Sequence, residues 1–197
     1  MPIPDFDLNL VLPPHLGDPR NPNQLSPYPC TLLEVCQKFA TSRERVEILT
    51  GLLDFRARSH PLNVIQGFQW FDGSFMENIE LHETRPPEDM DVVTFFVPPT
   101  PTFIQDVLVA FPEFGNRRLS QQNFKVDHFP VNLMGHPYLL VELTRYWTGL
   151  FSHRRDGVWK GMLRIELNTP VEDASARVHL RGWCSHEAER FFTGAKG

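Results

Sequence analysis

The sequence predicts a mixed α/β (α+β) protein in which a short, mixed, twisted sheet is flanked by helices. Short apolar runs bounded by glycine and proline recur along the chain, at residues 64–71, 90–97 and 162–167, and are typical of strands. Segments with apolar residues at helical spacing lie between and around them, at residues 43–59 and 137–151. The apolar fraction of 41% in 197 residues is enough for one folded core.

The N-terminal segment, residues 1–30, is predicted to be an extended Pro-rich arm that wraps the domain. Proline cannot continue a helix or a central strand, and prolines are frequent here. A partly disordered leader is the alternative. Residues 31–197 are predicted to form a single domain, with a core motif region at 62–133 and a C-terminal helix and strands at 137–197. The expected apolar anchors of the arm are Ile3, Phe6, Leu8, Leu10 and Leu12.

In the first half of the domain, Thr31 is predicted to cap a helix that runs through residue 40. Residues 41–44 match a capping box, with Glu44 reaching back to the cap of a second helix that ends near Ser59. A strand is expected at 64–71, one or two helical turns at 75–81, and a second strand at 90–97.

In the second half, a helix is expected at 102–111, followed by a loop and a third strand at 124–133. Pro130 favours an edge position for this strand. A long helix is predicted over Pro137–Phe151, a strand over 162–167, and one more strand over 176–182 before a short terminal helix.

The most informative motif combines a glycine–serine turn with closely spaced aspartates. Gly73-Ser74 follows the first predicted strand, and Asp89-Met90-Asp91 leads into the second. Because side chains alternate along a strand, Asp89 and Asp91 point the same way, about 6–7 Å apart. Paired carboxylates suit hard cations such as Mg²⁺, and the turn offers backbone N–H groups to phosphate oxygens. Asp127, in the third predicted strand, is a candidate third acid.

These three parts resemble the signature of the DNA polymerase β-like nucleotidyltransferase superfamily, over residues 62–133. The run from residue 67 to 75, with Trp159-Lys160-Gly161, is also similar to small stand-alone bacterial members of that superfamily. Asp72 stands where the superfamily usually has an apolar residue. The resemblance implies a nucleotidyltransferase-type fold.

The resemblance further implies a two-metal mechanism. Asp89 and Asp91 would hold two Mg²⁺ ions, with Mn²⁺ as a substitute, and Asp127 would ligate one ion and help to take the acceptor proton. Gly73 and Ser74 would hold the phosphates of an NTP such as ATP. Lys160 is a candidate phosphate-binding residue; the alternative is an exposed lysine of a loop or strand.

The expected function is therefore Mg²⁺-dependent transfer of a nucleoside monophosphate from an NTP to a hydroxyl acceptor, which is a protein, a tRNA or a small molecule. The net charge of −5 argues against a surface that coats nucleic acid, although it leaves room for a local basic groove. The first alternative is a catalytically inactive nucleotide- or protein-binding module of the same fold, by analogy with toxin–antitoxin or phage-defence components. A metal-dependent phosphodiesterase or nuclease is a third hypothesis, and a partner protein or homodimer stays open.

Other classes lack their key features. No GxxxxGK[ST], GxGxxG or GxSxG motif occurs in the sequence. Three cysteines without metal spacing predict free thiols in a reducing compartment. The N-terminus does not have the pattern of a signal peptide, and the apolar runs are shorter than a bilayer span, so a cytoplasmic protein without membrane contact is expected.

Overall fold

The computed structural model describes the backbone of residues 3–194 and the side chains of residues 3–185. The predicted α+β class is confirmed: a five-stranded mixed sheet is flanked by helices. The strands are β1 (Tyr28–Pro29), β2 (Gly67–Asp72), β3 (Met90–Phe96), β4 (Val126–Asn132) and β5 (Leu163–Glu166). The helices are α1 (Leu32–Phe39), α2 (Arg43–Ser59), α3 (Ile79–Glu83), α4 (Phe103–Ala110), α5 (Arg117–Phe124), α6 (Pro137–Phe151) and α7 (Pro170–Gly194).

The sheet has the strand order β1-β5-β2-β3-β4. β2 runs antiparallel to both β3 and β5, whereas β3 and β4 are parallel, and so are β1 and β5. The parallel pair β3–β4 is joined by α4 and α5, as a parallel pair requires a crossover. β4 lies at an edge, which agrees with the prediction made from Pro130.

The sheet separates two apolar layers. On one face, Phe71 and Val92 share a core with residues of α1, α2 and α7. On the other face, Val93 and Phe95 pack with Trp147 and Phe151 of α6. Because side chains alternate along each strand, the adjacent residues Val92 and Val93 serve opposite layers. The aspartates of the motif region extend from the second face, the one covered by α6.

One helix was not predicted, and it displaces the start of a strand. Residues 117–124 form α5, so the third predicted strand begins at Val126 and not at 124. The side chain of Asn116 caps α5 by accepting a hydrogen bond from the backbone N–H of Leu119. The helix is short and polar, and it exposes most of its surface, so it carries little apolar periodicity.

The strand predicted at residues 176–182 is wrong, because these residues belong to α7. Ala176, Val178 and Leu180 alternate with polar residues and so imitate a strand. Ala176 and Leu180 are buried, whereas Val178 is 67% exposed, which is the burial pattern of a helix. The last three residues of the predicted terminal helix, 195–197, lie outside the described residues.

The capping box lies at α1, not at α2 as predicted. Thr31 and Glu34 exchange the paired side-chain and backbone hydrogen bonds of the box. The side chain of Ser42 caps α2 by accepting from the N–H of Arg45, and Glu44 takes no part in the cap.

The N-terminal arm contains turns and a 3-10 helix at Pro22–Gln24, and its end forms β1, which pairs with β5. Leu12 is fully buried, and Ile3 and Phe6 pack against the main core. Leu8 is fully exposed, so its predicted role as an anchor is wrong. The positive φ of Leu10 marks a turn between the segment that carries Ile3 and Phe6 and the segment that carries Leu12. Residues 1–2 lie outside the described part of the chain. None of the described helices is long and apolar enough to span a membrane.

Candidate active site

A row of aspartates crosses three neighbouring strands at one end of the sheet. Asp72, the last residue of β2, lies opposite Asp91 of β3, and Asp91 lies opposite Asp127 of β4. Residues directly opposite each other in a sheet project from the same face. Asp89 precedes Asp91 by two positions and therefore points to that face as well. The structure thus brings together the three predicted acids and adds Asp72 as a fourth.

Gly73 allows the backbone to turn tightly against this row. Its φ of +87° is a conformation that L side chains rarely adopt, and a Cβ at this position would lie 2.2 Å from Asp91 Oδ2. Ser74 follows at the start of a single helical turn and lines the same cavity. The glycine–serine turn and the aspartates are therefore parts of one site, as the motif spacing predicted.

Lys160 forms a buried ionic centre with two carboxylates beneath the turn. Its Nζ lies 3.1 Å from Asp72 Oδ2 and 2.7 Å from Glu77 Oε1. It also donates to the carbonyl oxygen of Gly73 at 3.3 Å. Only 4% of Lys160 is exposed, so the alternative of an exposed lysine is wrong. The ammonium group lies in the wall of the cavity, engaged by these carboxylates, so the phosphate-binding role predicted for Lys160 would require it to leave them.

The charged groups in this centre shift one another's pKa values. Burial alone would lower the pKa of Lys160, but Asp72 and Glu77 raise it above its ordinary value. Burial raises the pKa of Asp72 to about 7, even though Lys160 opposes the rise. Asp72 Oδ1 is buried and has no hydrogen-bond partner among the described residues. We take Lys160 to be protonated throughout, because two carboxylates share its single charge.

The central aspartate is also perturbed. Burial, followed by the neighbouring charges of Asp127 and Asp89, raises the pKa of Asp91 to about 7. Asp91 lies opposite Asp127 in the register of β3 and β4, and two neighbouring carboxyl groups favour a proton or a cation close to them. Burial is also the main cause of the raised pKa of Asp89. The cluster is therefore a concentration of negative charge that the protein alone neutralises incompletely.

Two side chains of α5 hold the outer aspartates of the predicted triad. Arg117 Nε donates to Asp127 Oδ1 at 2.5 Å, and Gln121 Nε2 donates to Asp89 Oδ2 at 2.6 Å. The two donors are four residues apart and so lie on one face of the helix. Sequence analysis missed both because it missed α5; the signal that was present is Asn116, a good N-cap residue.

The aspartates form the floor of an open cavity of about 730 Å³. All six predicted site residues line it, namely Gly73, Ser74, Asp89, Asp91, Asp127 and Lys160. Its rim is mixed in charge: Arg85, Arg117, Arg154 and Arg155 line it together with the exposed residues Glu83 and Glu88, and Arg85 pairs with Glu83. Arg154 is anchored by Asp156 at 2.7 Å. A cavity with an acidic floor and several arginines around it suits a ligand that combines divalent cations with phosphate groups.

The donor set fits a hard cation such as Mg²⁺, although the side chains are not arranged around one. Within residues 3–185, no three His, Cys, Asp or Glu side chains are placed to hold a metal ion together. The reason is visible in α5, because Arg117 and Gln121 occupy oxygens of Asp127 and Asp89. The carboxylate oxygens and the unpartnered Asp72 Oδ1 are the ligand type that Mg²⁺ prefers.

The fold and site define an α+β protein with a carboxylate-floored, arginine-rimmed cavity at one end of a mixed sheet. The chain belongs to DUF6932, a family of unknown function, whose model matches residues 4–166. The match includes every residue named above for the cavity and ends at the last residue of β5. Neither the curated proteins nor the solved structures contain a match to this chain.

Proposed function

We propose that this chain is a Mg²⁺-dependent nucleotidyltransferase that moves a nucleoside monophosphate from an NTP to a hydroxyl acceptor. The supporting observation is the register that sets Asp91 beside Asp127, with Asp89 on the same face and the Gly73 turn against Asp91. The resemblance of these residues to the DNA polymerase β-like superfamily supports the same reaction. We also propose that the chain has the nucleotidyltransferase-type fold that this resemblance implies.

In this proposal, Asp89, Asp91 and Asp127 hold two Mg²⁺ ions. The bound metal would activate the acceptor hydroxyl and neutralise the charge that develops on the phosphates. The acceptor oxygen bonds to the α-phosphorus of the NTP and pyrophosphate leaves, while Asp127 accepts the proton of the acceptor hydroxyl or positions the group that does. Gly73 allows the backbone close to the phosphates, and the Ser74 hydroxyl donates to a phosphate oxygen.

Lys160 has a supporting role in this proposal and is not a direct ligand of phosphate. Its contacts with Asp72, Glu77 and the Gly73 carbonyl fix the turn from below. Its charge also keeps Asp72 from adding a further full negative charge to the metal site. The arginines of the rim are the better candidates for phosphate contact, because their side chains line the open side of the cavity.

The size of the cavity is consistent with one nucleotide. Small-molecule sites commonly measure about 300–1,000 Å³, and this cavity measures about 730 Å³. One nucleotide would fill most of that space, so the acceptor hydroxyl would enter from the open rim. A protein side chain or a small molecule meets that requirement, and the net charge of −5 favours either over a long nucleic acid.

The test is transfer of label from each of the four α-labelled NTPs to candidate acceptors, with Mg²⁺ or Mn²⁺. Candidate acceptors are the protein itself, total tRNA and a cell extract. We expect transfer by the wild type and its loss in Asp91→Asn and Asp127→Asn. The matched control is Asp54→Asn, which removes one carboxylate from the surface of α2. Equal transfer by all four proteins would refute the proposed site.

The second candidate is a non-catalytic nucleotide-binding module. It is favoured by one observation, the pairing of Asp127 with Arg117, which gives the cluster a cation of its own. Tight NTP binding in calorimetry, without label transfer or RNA cleavage under either metal, would support this module over the enzyme. Cleavage of RNA in the same reactions would instead indicate a nuclease.

A further inference from the structure

Two side chains of helix α5 donate hydrogen bonds to the proposed metal ligands, and only one of the two carries a charge. Gln121 is neutral and holds Asp89, whereas Arg117 is cationic and holds Asp127. The Asp127 pair therefore already contains part of the positive charge that the carboxylate cluster needs. A side chain that supplies such a charge competes with any cation for the same oxygens.

The two members of the Asp127 pair are not equally fixed. The Asp127 side chain is 3% exposed, whereas that of Arg117 is 61% exposed. The Arg117 guanidinium rests over the ring of Phe129, with 5.4 Å to the ring centroid. Arg117 can thus leave the carboxylate by rotating its own side chain toward solvent, without unfolding its helix. Asp127 is buried and held in strand β4, so it cannot move in the same way.

We propose that Arg117 is the resident counter-cation of the aspartate cluster and is exchanged for a divalent metal ion when the site is loaded. In the metal-free protein, the guanidinium neutralises Asp127 and occupies its Oδ1 atom. On loading, Asp127 passes to the metal, and the released guanidinium stays at the rim, where it pairs with the phosphates of the nucleotide. Arg117 is a positioning residue in this scheme. The inference rests on the proposed function, because it needs the metal site.

The neighbouring residue provides a matched control. Arg118 carries the same charge on the same helix, is exposed, and does not line the cavity. Arg117→Gln and Arg118→Gln therefore remove the same charge from the same element, and only the first frees Asp127. Arg117→Lys keeps the charge but cannot reproduce the Nε contact with the geometry of a guanidinium.

The experiment is calorimetric titration of the full, EDTA-stripped chain with Mn²⁺, without nucleotide. We expect Arg117→Gln to bind Mn²⁺ roughly threefold to tenfold more tightly than the wild type, because a competing ion pair is lost. Arg118→Gln should stay within about twofold of the wild type, since the charge that it removes is exposed and screened, and Arg117→Lys should fall between the two. With saturating Mn²⁺, Arg117→Gln should bind a non-hydrolysable NTP several-fold more weakly.

The possible failures are distinguishable. Unchanged or weaker Mn²⁺ binding by Arg117→Gln, alongside binding by the wild type that Asp91→Asn abolishes, overturns the exchange and leaves the metal site in place. An equal gain in Arg117→Gln and Arg118→Gln also overturns it, because the effect would then be one of general charge. Absence of Mn²⁺ binding in every variant, with and without NTP, overturns both the proposed function and this inference.

Discussion

Replacement of Asp91 by asparagine should stabilise the metal-free protein at alkaline pH. The carboxyl of Asp91 has a pKa raised from 3.8 to about 7 by burial and by its acidic neighbours. Between these two values, the folded chain keeps a proton that the unfolded chain has released. Stability therefore falls as the pH rises from about 4 to about 7, and the full loss is present above pH 7. An asparagine cannot ionise and so escapes this loss.

The magnitude follows from the size of the shift. A difference of about three pKa units corresponds to about 4 kcal/mol, since each unit is worth about 1.4 kcal/mol. At pH 8 we expect the free energy of unfolding of Asp91→Asn to exceed that of the wild type by an amount of this order. At pH 4 the two proteins should differ little, because Asp91 is protonated in the folded wild-type chain and is only partly ionised in the unfolded one, where its ordinary value of 3.8 applies. A shallower slope should persist in the variant, since Asp72 also has a raised pKa.

The assay is urea unfolding followed by tryptophan fluorescence in EDTA, at four pH values from 4 to 8. Asp54→Asn serves as the control, because Asp54 is about half exposed and pairs with Arg177 on the surface. Added Mg²⁺ should raise the stability of the wild type at pH 8 and have a smaller effect on Asp91→Asn. The reasoning is refuted if Asp91→Asn is less stable than the wild type at pH 8, or if both proteins show the same pH dependence.

Three further perturbations test other parts of the site. Gly73→Ala should abolish label transfer and lower the free energy of unfolding by roughly 1–3 kcal/mol. The added Cβ would meet the Asp91 carboxylate, and alanine disfavours the backbone conformation at this position. Transfer assays measure the first effect and thermal melting the second. Lys160→Met should lower the free energy of unfolding at pH 8 by roughly 3–5 kcal/mol, because two carboxylates lose their buried partner. Burial lowers the pKa of His128 to about 3, so its protonation in the unfolded state should destabilise the fold as the pH falls from 6.5 to 3, and His128→Gln should remove that part of the acid sensitivity in pH-dependent unfolding.

The elements that sequence analysis located correctly have strong local signals. α2 and α6 show long helical periodicity, and β3 is an apolar run that follows charged residues. α5 was missed because it is short and polar, with only Leu119 and Phe124 as apolar residues to mark a helical period. The false strand at 176–182 arose because alternate apolar residues satisfy a period of two as well as the i and i+4 positions of a helix.

The contrast between strong and weak local sequence signals also applies to the site. The triad of Asp89, Asp91 and Asp127 was predictable because each acid lies at or just before the start of a recognisable strand. The sheet register then places Asp91 opposite Asp127. The surroundings of Lys160 were not predictable, since its partner Glu77 is 83 residues away in sequence. A single lysine between Trp159 and Gly161 gives no local sign that two distant carboxylates will bury it.

Two cations contact the carboxylate cluster directly, and in our proposal they make the cluster both foldable and able to accept metal. Four aspartates and Glu77 at one end of a sheet would repel one another without positive charge. Lys160 supplies a permanent charge, because it is 4% exposed and bonded to three oxygen atoms at fixed positions. Arg117 supplies a charge from a side chain that is 61% exposed, over the acids that the proposed metals would use. A buried charge cannot be exchanged without unfolding its surroundings, whereas an exposed one can. The difference in exposure therefore assigns Lys160 to the architecture of the turn and Arg117 to the loading of the site.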